Sequence, residues 1–217
     1  MENYIGNYWE LKFASLKKSL QFNGFEVYIA KNREEAKNLA LDKIIPGMGA
    51  KTISWGGSMT FVSSGLYEAI KNNPEFTVLD TYDKKASTAE ILQRRRQALL
   101  SDLFITGANA VTETGKLVNL DMFGNRTAAI TFGPSNVLIL AGKNKVVPTV
   151  EEAQKHIKNY TAPVNAMRLD KKTPCVETGI CHDCNSPGRI CNHLCITEKS
   201  YPKGRIKIML IDEDLGI

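Results

Sequence analysis

Between residues 25 and 106, short apolar runs alternate with helix-length segments, and this rhythm narrows the folds open to the chain more than any other feature. Phe25 to Ala30, Thr52 to Trp55, Thr77 to Asp80 and Leu103 to Thr106 read as strands. Before the first, Trp9, Phe13, Leu16 and Leu20 recur at helical spacing and Gly24 follows as a stop. Asn32 caps a second helix carrying Ala36, Leu39, Ala40 and Ile44, which Pro46-Gly47-Met48-Gly49 breaks. Ser58 caps a third through Val62, Leu66 and Ile70, and Ser87-Thr88-Ala89-Glu90 is a capping box opening a fourth to about Leu100. Strands spaced by helices in this way predict an α/β fold, a mostly parallel sheet with helices on both faces.

The pattern changes after Gly107. Lys116 to Met122 and Val137 to Ala141 read as strands around a short helix beginning near Asn125, and Thr149-Val150-Glu151-Glu152 opens a helix to about Tyr160. From Pro163 the chain reads as loop, and IKIMLI, residues 206–211, as a last buried strand. The expected organisation is an α/β domain over 1–170, a cysteine-rich excursion over 171–205, and a return to the same domain over 206–217.

Charge and hydropathy exclude several functions. A net charge of +5 spread along the chain is no nucleic-acid footprint, although it mildly favours anionic small molecules. The densest basic cluster, Arg94-Arg95-Arg96, falls within a helical pattern and reads as a solvated face. The longest apolar stretch, Val137 to Ala141, is too short to enter and cross a bilayer, and MENYIGNYWELKF lacks the basic-then-apolar order of a leader. The expectation is a cytoplasmic protein with reduced thiols. No GxGxxG fingerprint is present, so no NAD is expected.

In an open parallel sheet, ligands bind outside the carboxyl ends of the strands. WGGSMT, residues 55–60, ends a strand in two glycines and starts a helix. Gly56, Gly57 and Ser58 could offer backbone N–H groups to an anion, or simply make a tight turn. TGANAVTETGKLVNLDMFGNR, residues 106–126, delivers Gly107, Asn109, Thr112, Glu113, Asn119, Asp121, Asn125 and Arg126 at and just past another strand end. Asn109 and Glu113 directly follow that strand and are expected to face the cleft. A polar hairpin in water is the plainer account of the rest. Lys143, after VLILAG, is a third strand-end candidate.

All five cysteines fall within 23 positions, TPCVETGICHDCNSPGRICNHLC. Cys181-His182-Asp183-Cys184 is a C-x2-C pair, with five residues between it and Cys175 and six between it and Cys191. Thr178-Gly179 and Ser186-Pro187-Gly188 let the chain fold back. Four thiolates so close in sequence could converge on Zn²⁺ or a [4Fe–4S] cluster, with His182 and His193 as substitute ligands. Reduced structural thiols and a redox disulfide remain open. Cys195 falls outside the set of four.

WGGSMT, ITGANAVTETGKLVNLDMFGNRTAA, FGP, LAGKNKVV and TPC…TGICHDCNSPGRIC together resemble the lactate-utilisation domain family from about residue 8 to 216. The match is densest over 106–147. The resemblance implies a fold similar to ribose-5-phosphate isomerase, glucosamine-6-phosphate deaminase and the CoA transferases. It also implies a part in L-lactate oxidation beside partner proteins that carry iron–sulfur clusters. More distantly, DLFITGANAVTETGKLVNLDMFGNRTAA resembles a region of methylthioribose-1-phosphate isomerase in which an aspartate after Gly-Ala is catalytic. Here Asn109 stands at that position, and an amide cannot serve as a general acid or base.

Three functions follow as expectations. The first is an accessory or electron-transfer component of 2-hydroxy-acid oxidation, with a small anionic metabolite in a strand-end cleft. There Gly56, Gly57 and Ser58 would hold the anion by backbone N–H groups, Arg126 or Lys143 would supply charge, and Asn109 and Glu113 would orient it. The second is a self-sufficient phosphosugar or acyl-CoA enzyme using Glu113 as base or nucleophile. The third is a metabolite-binding module with a structural metal, and a homo-oligomer is compatible with all three.

Overall fold

The structure, a computed structural model, describes residues 4–217, so the first three residues of MENYIGNYWELKF lie outside the described residues. The first half of the chain runs α1 (Tyr4–Phe22), β1 (Glu26–Ala30), α2 (Arg33–Leu39), α3 (Ile45–Met48), β2 (Thr52–Trp55), α4 (Met59–Ser63), α5 (Leu66–Lys71), β3 (Thr77–Leu79) and α6 (Thr88–Gln97). The second half continues with β4 (Leu103–Gly107), β5 (Ala110–Thr112), β6 (Leu117–Asp121), α7 (Asn125–Thr131), β7 (Asn136–Gly142), β8 (Val146–Val147), α8 (Val150–His156), α9 (Ala162–Arg168), α10 (Pro174–Thr178), β9 (His193–Thr197) and β10 (Ile206–Ile211).

Six strands form one parallel sheet in the order β1-β10-β7-β4-β2-β3. The α/β architecture expected from the alternation is therefore present. Its inner strands are apolar on both faces, as a sheet covered on both sides requires: every residue of β4 and of β10 is buried. One core, with Trp55, Phe61, Leu66, Ile105 and Leu140, packs on one side. A second, with Phe13, Leu16, Leu20, Val137, Ile139 and Ile208, packs under α1 on the other. A smaller sheet, ordered β8-β5-β6-β9, grows from the end of β4.

The expected boundaries fail at two prolines, for one reason. The chain was expected to leave helix at Pro46 and at Pro163, yet helix continues to Met48 and to Arg168. Each proline follows a π-helical turn, Ala40–Ile44 in one case and Ile157–Thr161 in the other. Proline has no N–H and its ring crowds the carbonyl four residues back, and a widened i→i+5 turn relieves both problems. Gly49, at φ 63°, then ends the first of these helices.

The 171–205 excursion is not all loop. His193–Thr197 pairs antiparallel with β6, setting Asn119 opposite Cys195. Leu194 and Ile196 alternate along it but are 48% and 39% exposed, so this short strand is held by its pairing with β6 and not by a buried apolar face.

Lys145, just past β7, is 1% exposed and its Nζ has no hydrogen-bond partner among the described residues. Burial lowers its pKa from 10.5 to about 8. Between those values the unfolded chain binds the proton and the folded chain does not, so stability should rise with pH across about 8 to 10.5. At neutral pH the amine is charged in both states and its burial costs up to about 3 kcal/mol. Lys145→Met should be the more stable protein at pH 7 in urea unfolding, with the difference shrinking toward pH 10. A constant difference would overturn this account.

Candidate functional site

The two turns singled out in the sequence leave the carboxyl ends of adjacent strands, since β2 pairs with β4. They pack against each other closely enough to require glycine. A Cβ added at Gly107 would lie 2.6 Å from Ser58 Oγ, and one added at Gly56 would lie 2.4 Å from Arg126 Cγ and 2.9 Å from the Phe104 ring. The Gly56 N–H is spent on the carbonyl of Ile105. Tyr82 fixes the rest of the turn: its hydroxyl donates to the Gly56 carbonyl at 2.7 Å and accepts the Ser58 N–H at 2.9 Å. Burial pushes that phenol up to about 12, so it remains a donor at neutral pH. Ser58 Oγ caps α4 by accepting from the Phe61 N–H. The backbone N–H groups of Gly56 and Ser58 therefore hold the protein together, and the expected anion cradle at those two positions is corrected.

A cleft of about 340 Å³ opens over these strand ends, lined on one side by Gly57, Ser58, Gly107 and Asn109 and on the other by Asp121, Asn125 and Arg126. Arg126 is its anchor. From the buried first turn of α7, its Nη2 donates to the Leu120 carbonyl at 2.8 Å and to Asn109 Oδ1 at 3.2 Å, while Nε lies 3.5 Å from Asp121 Oδ1. Asp121 also accepts the backbone N–H groups of Met122, Arg126 and Thr127. Asn109 Oδ1 accepts the Leu120 N–H, and its own N–H donates to Asn119 Oδ1. Asn119 is itself buried and does not line the cleft. The amide at 109 is thus a strut between β4, β6 and α7.

Two further arginines face the same cleft. Arg95, within the run expected to be a solvated face, lies partly buried with its guanidinium 4.5 Å from the Phe123 ring centroid. Desolvation lowers its pKa, and the nearby charge of Asp121 opposes that only in part. Neighbouring Arg94 instead turns outward to the Asp80 carbonyl and Asp83, as helix geometry requires for consecutive residues. Arg168 stands at the rim, its Nε and Nη2 held by Asn165 Oδ1 at 3.0 and 2.8 Å. Thr161, in the π-helical turn beneath, lines the cleft with a buried hydroxyl that has no partner among the described residues. Among the lining side chains, three guanidinium groups face one carboxylate.

Two expected residues are elsewhere. Glu113 follows β5 in the small sheet, where its N–H donates to the Val147 carbonyl and its carboxylate pairs with Lys12 of α1. Lys143 binds Asp212 Oδ1 at 3.0 Å and lies over the Trp9 ring. Neither lines the cleft, so the expected orienting carboxylate and the expected second cation are corrected. Arg95 and Arg168 occupy the cation positions, and helix phase was the only signal in the sequence that could have marked Arg95.

A family model described as the LUD domain matches residues 13–211. The chain belongs to the LUD domain family. The crystal structure of a DUF162 family protein from Deinococcus radiodurans is similar at 15% identity and a TM-score of 0.49, covering 93% of this chain and 97% of that one. No curated protein matches the chain. Within this LUD domain, the matched span takes in both turns, all three cleft arginines and the cysteine segment.

Proposed function

We propose that the cleft binds a small organic anion of the 2-hydroxy-acid class, and that the protein serves 2-hydroxy-acid oxidation as an accessory or electron-transfer component. L-lactate is the first candidate, and iron–sulfur proteins of a cytoplasmic complex are the proposed partners. The observation that carries the reading is the partly desolvated Arg95 guanidinium, which has Phe123 beside it and, among the described residues, no carboxylate bonded to it. A partly buried cation favours an anionic ligand more than a fully exposed one does, because water competes less for it. Arg168 at the rim can take a second oxygen of the anion, and Thr161 can donate to or accept from a hydroxyl.

Among the described residues Asp121 is the one acidic side chain lining the cleft, and it is occupied by Arg126 and three backbone N–H groups, which leaves it poorly placed to shuttle protons. That favours binding and positioning over self-sufficient acid–base catalysis. No helix among the described residues is long and apolar enough to cross a membrane, which is compatible with the proposed setting.

Calorimetric titration with L-lactate and larger 2-hydroxy acids tests the reading. Each of Arg95→Met and Arg168→Met should weaken binding at least tenfold, given about 1.5–3 kcal/mol for a hydrogen bond to a charged group. Oxidation should require added partner proteins. Equal binding by wild type and both variants, or no binding of any 2-hydroxy acid, would remove the proposal.

A further inference from the structure

Four of the five cysteines line one small cavity away from the sheet. Cys175, Cys181, Cys184 and Cys191 share it with Lys158, Ala162, Pro163, Ala166 and Ile190. All five cysteines are free thiols. Cys195 lies apart on β9, its Sγ 3.9 Å from the Thr131 hydroxyl.

The segment around that cavity has no core of its own. From Pro174 to Arg189 no residue is buried. Gly179 at φ 72° ends α10, and Asp183 adopts φ 45° between the C-x2-C cysteines, a region only short polar residues and glycine accept readily. Arg189 ties the second half together: its guanidinium donates to the carbonyls of Cys184 and Cys191 and to Asp183 Oδ1. Lys158, from the helix beneath, reaches the same carboxylate oxygen at 3.1 Å. Short segments that bury so little apolar surface take their stability from a cross-link or a metal, because burial cannot offset the chain entropy lost on ordering.

We propose that Cys175, Cys181, Cys184 and Cys191 form a tetrathiolate site for a single tetrahedral ion of the zinc class. Four thiolates are the ligand set such an ion takes in closed structural sites. The cavity volume of about 20 Å³ favours the smaller occupant. That space suits one atom-sized occupant, given that about 10–15 Å³ admits one water, and a cubane of four irons and four sulfides is several times larger. Among the described residues no three ligating groups stand close enough to hold an ion as they are. The thiols therefore swing inward about their χ1 bonds on binding, which a segment with no packed core allows. Two thiolates beyond those neutralised by the ion leave a local negative charge, and Lys158 and Arg189, which share the wall with the Asp183 carboxylate they both bind, offset part of it. Ile190 lines both this cavity and the arginine cleft, so the ion would fix one wall of the cleft. The site stands independently of what the cleft binds.

The test is titration of the full-length, reduced, chelator-treated protein with Zn²⁺ against a chromophoric competitor, then with Co²⁺ for its visible spectrum. One ion per chain is expected, with intense tetrahedral Co²⁺ bands and thiolate charge transfer. Cys181→Ser and Cys184→Ser should each weaken binding at least a hundredfold, while Cys195→Ser should not change it. Limited proteolysis of the wild type, which needs no variant to fold, should show the 174–191 segment protected only with Zn²⁺ present. Anaerobic reconstitution that loads four irons and four sulfides per chain would overturn the single-ion assignment. So would failure to bind either metal, or binding that survives loss of both C-x2-C thiols.

Discussion

Arg126→Met is expected to lower folding stability by about 3 kcal/mol, near the low end of the range for removing one partner of a buried charge pair. The guanidinium side chain is 11% exposed, and its removal leaves the Asp121 carboxylate, 8% exposed, without its cation. It also strips a donor from the carbonyl of Leu120 and from Asn109 Oδ1. The backbone N–H groups that remain on Asp121 keep the cost from reaching the upper range. Urea unfolding of the single variant and of Arg126→Met with Asp121→Asn checks the mechanism. Neutralising Asp121 should recover part of the loss. A single-variant loss below about 1 kcal/mol would mean that the pair is solvated in practice.

Gly115→Ala should cost as much or more, about 3–4 kcal/mol, through backbone alone. Gly115 has φ 79°, and an added Cβ would lie 2.7 to 2.8 Å from the backbone of Ser19 and Leu20 at the end of α1. Backbone cannot swing aside as a flexible side chain can. Asn23 reinforces the contact by donating to the carbonyls of Thr114 and Gly115. The control is Gly179→Ala, which shares the positive φ, at 72°, but would meet nothing within 4 Å. It should lose only the roughly 1 kcal/mol of conformational penalty. Equal melting temperatures for the two variants would show that the hairpin tip and α1 separate freely.

Why some features were legible in the sequence and others were not follows from where the information lies. Strands β4 and β7 carry continuous apolar runs, and β10 is apolar but for Lys207, so local composition announces them. The capping box at Ser87 and Glu90 is likewise local, and both its hydrogen bonds are present. The site divides differently. Asn109, Asp121, Asn125 and Arg126 meet because β4, β6 and α7 are close in sequence. Arg95 and Arg168 arrive from helices 26 residues before β6 closes and 47 residues after it (Asp121 being its last residue), so only the tertiary fold places them. Glu113 was misplaced because the chain turns away into the small sheet at Ala110, a change of direction that no side-chain pattern encodes. KNK shows the limit most simply. Lys143 is paired near the surface while Lys145 is sealed in, two identical side chains two residues apart with opposite fates.

In the six-stranded sheet, β10 lies between β1 and β7. Within this sheet β1 therefore has no neighbour among the described residues until β10 has been synthesised. During translation α1 and β1 must wait as an unpaired edge, while the block from β2 to β7 can already assemble. Insertion of residues 206–211 is then a long-range closure that completes the sheet in one step, and a chaperone that shields β1 would have that interval in which to act.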